Sequence, residues 1–277
     1  MVVRSGEQLV RQRRSDAAQS GTAIALQPCM SDTAAPSRSK AAKKSAPAKQ
    51  ASRTVVKPGV AVATLTLSSK NYSSWSLRGW LLARFSGLAF SEVMVSPDDA
   101  DARKELLLLA PSIRVPCLTH EGAKVWNTLA IAHYLDELRP EAGLLPKERL
   151  ARAHCRSVCG EMNSGFANLR SALPMNLKAR HPGYKVWAGA QPDIDRIVEI
   201  WTECLATYGG PWLFGAQRTM ADAMFAPVAT RFLTYDVKLD AACSGYCRTI
   251  MEMPEMVEWV AAAKKEPDEI DELDMDF

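Results

Sequence analysis

The first residues whose type and spacing suggest chemistry are serines in the segment KNYSSWSLR, residues 70–78, with Ser73 and Ser74 at its centre. The segment follows an apolar, β-branched run at 60–67, which predicts a buried strand, and leads into a helical pattern that Gly87 ends. A helix N-terminus exposes N–H groups and favours negative charge. A serine hydroxyl here either caps the helix or donates a hydrogen bond to an external anion, and the residues alone leave both interpretations open.

Two further places bring backbone or polar groups to the ends of predicted strands. A proline that opens a strand, as Pro116 does, is tolerated where its missing N–H does no harm. A cis bond there would turn the backbone of Val115 outward to pair with an extended ligand, and an ordinary trans edge proline is the alternative. Asn127 and Thr128 begin a predicted helix that points at the same edge of the sheet.

The elements needed to position these residues fall into two groups. Strands are predicted at 60–67, 88–95, 114–118 and 124–126, and helices after residue 73, at 98–109 and at 127–138. Beyond Pro146 the strand signals vanish, and helical patterns run over 148–173, 192–208, 219–235 and 254–264. The predicted fold class is α/β plus all-α, with an N-terminal α/β domain at 58–139 and an all-helical C-terminal domain at 147–265.

The charge distribution is uneven along the chain. The net charge is +3, but residues 1–57 hold 11 Lys or Arg against 3 Asp or Glu, and residues 266–277 hold 7 acids. We expect 1–57 to be a disordered basic leader and 266–277 an acidic tail. The leader has two alternative interpretations, an organelle transit peptide and a segment that contacts nucleic acid. Of these we do not favour the second, and we expect no nucleic-acid partner. No apolar run of 18 residues occurs, so we expect no membrane partner.

Seven cysteines occur without a secretion signal, which predicts reduced thiols and a cytoplasmic location. Cys155 with Cys159, and Cys243 with Cys247, are spaced by four residues on one helical face. Zinc sites use tighter cysteine spacing with four converging ligands, so we expect buried apolar side chains and no metal. Neither a G-x-S-x-G motif nor a glycine-rich phosphate loop is present.

Together these features resemble the glutathione transferase family over nearly all of residues 60–265. SSWSLR with Gly87 is similar to the serine-type active loop of the zeta and tau classes, in a bacterial-type branch. APSIRVP at 110–116 resembles the family's NPxGxVP loop, whose proline is cis. NTLAIAHYL at 127–135 is similar to its ES-x-A-I-x-x-Y-L helix, and RTMADAMFAP at 218–227 to its SLADAxxxP element.

The resemblance implies a thioredoxin-like N-terminal domain that binds glutathione as co-substrate, with Ser73 as the catalytic serine whose hydroxyl steadies the glutathione thiolate. The implied glutathione-binding residues are Ser74, Arg114, Val115, Pro116, Asn127 and Thr128. Two positions depart from the family pattern, since Ile113 replaces a glycine and Asn127 replaces an acid, and we expect weaker affinity for glutathione. For the wall of the co-substrate pocket we predict Met162, Phe166 and Arg170, spaced by four residues, although such a stripe is also typical of core.

The implied function is that of a glutathione transferase, which activates the thiolate for conjugation to, or isomerisation of, a small electrophile. Two alternatives stay open. The serine loop and the amide at Asn127 favour an enzyme like maleylacetoacetate isomerase, whereas that class's SSC triplet reads Ser73-Ser74-Trp75 here. A non-catalytic binding or scaffold module of the same fold is the other. The family also implies a homodimer.

Overall fold

The computed structural model describes residues 63–95 and 115–267. The predicted basic leader, the helix at 98–109, Ile113, Arg114 and the acidic tail beyond Pro267 lie outside the described residues. No helix in the described part of the chain is long and apolar enough to cross a bilayer.

One four-stranded sheet forms the N-terminal domain. Its strands are β1 (Ala63–Leu67), β2 (Phe90–Met94), β3 (Cys117–His120) and β4 (Ala123–Trp126), in the order β2-β1-β3-β4. β1 pairs parallel with β2 and antiparallel with β3, and β3 pairs antiparallel with β4. The third strand begins at Cys117 rather than at 114, so Val115 and Pro116 precede it, and the prediction that they open the strand is corrected accordingly.

The register of this sheet brings the three predicted places together. Thr66 lies opposite Cys117, which in turn lies opposite Trp126. The end of β1, the start of β3 and the end of β4 therefore share one end of the sheet. The residues that follow or precede these positions meet there.

Two helices pack on the sheet, α1 (Ser74–Ser86) and α2 (Thr128–Leu138). The hydroxyl of Ser73 caps α1, and Gly87, with φ of 70°, ends it in the left-handed conformation that glycine adopts without a Cβ clash. Leu77, Trp80 and Leu81 are buried against the core. This arrangement confirms the thioredoxin-like N-terminal domain.

The C-terminal domain is all-helical, as predicted. Its helices are α3 (Arg149–Ser164), α4 (Ala167–Ala172), α5 (Gln191–Tyr208), α6 (Met220–Thr234), α7 (Ala241–Glu252) and α8 (Pro254–Ala263). Nearly every residue of α6 is buried, which makes it the central helix of the domain. The predicted capping box is present, with Thr219 and Asp222 exchanging side-chain and backbone hydrogen bonds.

The structure corrects one prediction about the helical domain and adds one helix to those expected. The single helix expected at 148–173 is divided into α3 and α4, because the chain turns at Gly165 and Phe166 takes the left-handed φ of 60°. Helix α7 was not predicted, although it buries Cys243 and Cys247 on one face. Its small and polar residues give weak helical propensity, and packing of that face stabilises it instead.

Candidate active site

Ser73 stands at the mouth of α1, where β1 ends. Its hydroxyl accepts a hydrogen bond from the backbone N–H of Ser76 at 3.2 Å, so the capping role is realised. The residue is only 1% exposed. A hydroxyl has one donor and two acceptor positions, and the cap uses an acceptor. Capping and hydrogen-bond donation to an anion are therefore chemically compatible at this residue.

Ser74 contacts an arginine rather than the sheet. Nη1 of Arg78 lies 3.5 Å from its hydroxyl, and the guanidinium also donates from Nε to the carbonyl of Met224 at 2.8 Å. Since Met224 belongs to α6, Arg78 ties the start of α1 to the helical domain. The guanidinium lies 4.6 Å from the ring of Trp75.

Asn71 fixes the β1–α1 loop (Ser68–Tyr72) on the helical domain. Its Oδ1 accepts from the backbone N–H groups of Leu177 at 2.8 Å and Lys178 at 3.1 Å, and its Nδ2 donates to Asn176 at 3.0 Å. The side chain is fully buried. Nothing in the local pattern KNYSS pointed to this role, because its partners lie more than 100 residues away.

Glu266 contacts the same loop. Its carboxylate accepts from the Ser69 hydroxyl at 2.8 Å and from the backbone N–H groups of Lys70 at 2.7 Å and Asn71 at 3.1 Å. The indole of Trp259 donates to the carbonyl of Lys70 at 2.9 Å. Sequence reasoning assigned Glu266 to the acidic tail and missed this contact, for which the sequence offers no signal.

The Val115–Pro116 peptide bond is cis, as the family motif implied. Both residues are buried. Pro116 packs closely on α1, because a Cβ built on Gly79 would come within 2.4 Å of the proline Cβ. A glycine in the middle of α1 thus permits the close approach of this loop.

Asn127 and Thr128 differ in their surroundings. Asn127 is exposed, has φ of 73°, and caps α2 by accepting from the backbone N–H of Leu129 at 2.9 Å. Thr128 is buried, and its hydroxyl donates to Oδ1 of Asn163 on α3 at 3.2 Å. Asn127 therefore faces the surface at the sheet end, whereas the Thr128 side chain bridges the two domains.

The predicted pocket wall is only partly a surface. Met162 is fully buried and Phe166 is 7% exposed, and both belong to the hydrophobic core. Met162 lies on α3, Phe166 precedes α4 and Arg170 lies on α4, so the prediction that the three share one helix is wrong. Arg170, on α4, is partly exposed and lies 5.9 Å from the ring of Trp75.

Neither Cys117, at this end of the sheet, nor Cys159, on α3, supplies a competing nucleophile. Burial raises the pKa of the Cys117 thiol, an effect that the charge of Lys124 only partly offsets. Burial likewise raises the pKa of Cys159 far above its usual value. Both groups therefore stay protonated near neutral pH, and a thiolate nucleophile is not supplied by either.

The fold and this site define a protein with a thioredoxin-like domain followed by a helical domain. The family model for the N-terminal domain of glutathione S-transferases matches residues 72–138, and the model for the C-terminal domain matches 166–262. The chain belongs to the glutathione S-transferase family. Its serine-type loop is consistent with a zeta-like branch.

Among similar proteins, a probable maleylacetoacetate isomerase from Caenorhabditis elegans is 30% identical over 139 residues, which cover 48% of this chain and 63% of that protein. A probable maleylacetoacetate isomerase 2 from Drosophila melanogaster is 31% identical over 117 residues, covering 42% of this chain and 50% of that protein. The chain thus matches between half and just under two thirds of these two relatives.

Solved structures share the fold. A glutathione transferase homologue from Burkholderia, with bound glutathione, aligns with a TM-score of 0.55 at 22% identity and covers 73% of this chain and 97% of its own. A maleylacetoacetate isomerase from Anaeromyxobacter dehalogenans, with glutathione in its active site, aligns with a TM-score of 0.54 at 22% identity, covering 76% of this chain and 99% of its own. At this identity the likeness is one of architecture.

Proposed function

We propose that this protein is a glutathione transferase that binds glutathione at the sheet end and activates its thiol beside Ser73. The observation that carries the proposal is that the sheet register and α1 bring Ser73, Pro116 and Asn127 to one end of the sheet. The donor set suits the tripeptide, since two helix starts lie at this sheet end and helix N-termini favour anionic groups. In the proposed site Arg114, Val115 and Pro116 bind its backbone, and Asn127 with the backbone of Thr128 binds its γ-glutamyl end, because the Thr128 hydroxyl is occupied by Asn163.

The hydroxyl of Ser73 would stabilise the sulfur anion by a hydrogen bond and would form no covalent bond to it. Lowering the pKa of a thiol from about 8.5 by two units takes ~2.7 kcal/mol of preferential stabilisation. One charge-assisted hydrogen bond supplies about 1.5–3 kcal/mol, and a helix N-terminus adds about 0.3–1 kcal/mol. These two effects together are large enough, so no general base is required.

Isomerisation is a second candidate, because two of the similar proteins are named as probable maleylacetoacetate isomerases. An isomerase regenerates glutathione, whereas a conjugating enzyme consumes it. Free thiol should therefore be titrated during turnover of a chlorinated aromatic and of a maleyl-type diacid. A protein that binds glutathione but turns over neither electrophile would instead be a binding module.

The role of Ser73 is tested by separating the cap from the hydrogen-bond donor. In Ser73→Ala both are lost, whereas Ser73→Gly removes the donor at a capping cost of only a few tenths of a kcal/mol and adds no charge. We expect both variants to raise the pH midpoint of bound-thiolate absorbance by about 1–2 units, which corresponds to one charge-assisted hydrogen bond. Only Ser73→Ala should also lose about 1 kcal/mol of stability. A midpoint that stays at the wild-type value in both variants would refute the assignment.

The proposal extends to a homodimer in the reducing cytoplasm, with a small electrophile as the second substrate. The family resemblance supports the dimer. The six described cysteines, all buried and unpaired, suit a reducing compartment. Light scattering after size exclusion would measure the mass, and a monomer across micromolar concentrations would contradict the assembly.

A further inference from the structure

Three arginines from three helices converge where the two domains meet: Arg78 on α1, Arg170 on α4 and Arg231 on α6. Arg78 has no exposed surface, and Arg231 is 2% exposed. Burial, then the charges of Arg231 and Arg170, lower the pKa of Arg78. Burial and the charge of Arg170 lower the pKa of Arg231 to about 9. Arg78 and Arg170 lie 4.6 and 5.9 Å from the same ring, that of Trp75, and Arg78 and Arg231 both donate to backbone carbonyls of α6, so the three guanidinium groups are close together.

The hydrogen bonds of this arginine cluster (Arg78, Arg170 and Arg231) leave donors unused. Nη2 of Arg78 and Nη1 of Arg170 are buried and have no acceptor. Arg231 donates from Nε to the carbonyl of Leu173 at 2.8 Å and from Nη1 to that of Pro227 at 3.4 Å. Neutral carbonyls satisfy part of the donor set but supply no counter-charge.

Carboxylates are scarce around the cluster. Within the described ranges, no acid forms an ion pair with any of its three arginines. Among the described residues, Asp193 raises the pKa of Arg170, against the larger lowering by burial. Oδ2 of Asp193 is engaged with the backbone N–H of Leu169 at 2.9 Å.

Buried charges in proteins are nearly always paired, because an unpaired one has lost its hydration without compensation. Among the described residues, three like charges with two buried nitrogens that have no acceptor therefore point to a binding site for an anion. The guanidinium fork matches a planar group with two oxygens, which a carboxylate provides. Trp75 and Arg170 are partly exposed and mark the side from which such a group can enter.

We propose that Arg78, Arg170 and Arg231 form a carboxylate-binding site, and that its occupant is a carboxylate of the electrophilic co-substrate. The second half rests on the proposed transferase function. Arg78 contacts Ser74, the neighbour of Ser73, so a group held by the cluster lies beside the proposed thiolate. The site would therefore select electrophiles that carry an acid and orient them by it.

Binding is tested without glutathione. The melting temperature is followed while sodium acetate or sodium succinate replaces sodium chloride at constant ionic strength. We expect a saturable rise for the wild type and an apparent Kd at least tenfold higher in Arg170→Gln. Arg156→Gln, at an exposed position of α3, is the matched control and should behave as wild type.

If Arg170→Gln does not fold, Arg170→Lys keeps the charge without the fork and should weaken binding several-fold. Equal responses to carboxylate and chloride, or no loss in either Arg170 variant, would overturn the site.

The source of the carboxylate is tested by turnover of an electrophile as free acid and as methyl ester. We expect kcat/KM to favour the acid at least tenfold in the wild type and in Arg156→Gln, and the preference to fall towards unity in Arg170→Gln. Carboxylate binding with no acid preference would overturn the substrate assignment and leave a site for free anions. Carboxylate binding without turnover of any electrophile would overturn the transferase proposal while the site stands.

Discussion

The carboxylate of Glu266 accepts a hydrogen bond from the backbone N–H of Lys70 at 2.7 Å, although 196 positions separate them in sequence. Residues after the last helix therefore help to fix the β1–α1 loop from which Ser73 begins α1. The carbonyl of Glu266 also accepts from Nζ of Lys178 at 2.7 Å, which holds this segment to the helical domain. The loop is thus bound to the helical domain through its own residue Asn71 and to the segment after α8 through Glu266.

Glu266→Gln should loosen this loop. The amide NH₂ cannot accept a hydrogen bond, so one of the three loop donors loses its acceptor at a cost of about 1–2 kcal/mol. We expect faster hydrogen exchange of the amides of residues 70 and 71 and weaker glutathione binding. Glu258→Gln, which removes an exposed ion pair with Arg84, is the control and should cost less than about 1 kcal/mol. Unchanged exchange at residues 70 and 71 would count against the role of Glu266.

Asn71→Ala should be strongly destabilising. It removes the acceptor of the backbone N–H of Leu177, which costs about 1–3 kcal/mol when buried without a partner, whereas the N–H of Lys178 keeps Oδ1 of Asn176 at 3.1 Å. Chemical denaturation should therefore give Asn71→Ala a lower free energy of unfolding than the wild type. An Ala variant as stable as the wild type would show that the loop can detach without penalty.

Replacement by alanine should lower the stability of the protein at Gly79 and raise it at Gly160. In Gly79→Ala the new methyl group would overlap Pro116, and such overpacking costs about 1–3 kcal/mol. At Gly160, inside α3, no atom lies within 4 Å of the added Cβ, so the gain in helical propensity should stabilise by about 0.5–1 kcal/mol. Thermal unfolding of both variants measures the contrast. A stabilised Gly79→Ala would mean that the Pro116 loop moves freely.

Asp222 should give stability an unusual pH dependence. Burial raises its pKa to about 6, outweighing hydrogen bonds from Thr219, Leu213 and Tyr246. The folded state then binds more protons than the unfolded state, whose carboxyl titrates near 3.9. The contribution of Asp222 to the free energy of unfolding is therefore complete below pH ~4 and falls by up to ~3 kcal/mol as the pH rises to about 6.

The measurement compares wild type with Asp222→Asn, in which this titration is absent. The free energy of unfolding of the wild type minus that of Asp222→Asn should decrease as the pH rises from about 4 to about 6. Carboxyl ¹³C chemical shifts give an independent reading if the Asn variant does not fold. A carboxyl midpoint below 4 would contradict the prediction, because the hydrogen bonds would then outweigh burial.

The sequence predicted features that depend on neighbouring residues. The start of α1 at the serines, its end at Gly87, and the Thr219 to Asp222 capping box follow from local backbone and side-chain chemistry, and all three are confirmed. The sheet end that gathers Ser73, Pro116 and Asn127 was also predicted, because strand order limits where loops can meet. The site roles assigned to these residues stay predictions.

What the sequence did not reveal depends on distant partners. The apparent continuity of Met162, Phe166 and Arg170 hid the break at Gly165, since four-residue spacing persists across it by coincidence. Helix α7 was not predicted because its helical propensity is weak and burial of one face stabilises it. The arginine cluster could not be predicted from spacing, as its members come from three separate helices.

The Arg78 side chain links the two domains. Its Nε is anchored on the carbonyl of Met224, 146 residues away, so the sheet domain completes its interior with a group from α6. The sheet domain therefore has no closed interior of its own. Calorimetry should record a single melting transition, with equal calorimetric and van't Hoff enthalpies, and a fragment limited to the sheet domain should aggregate rather than melt.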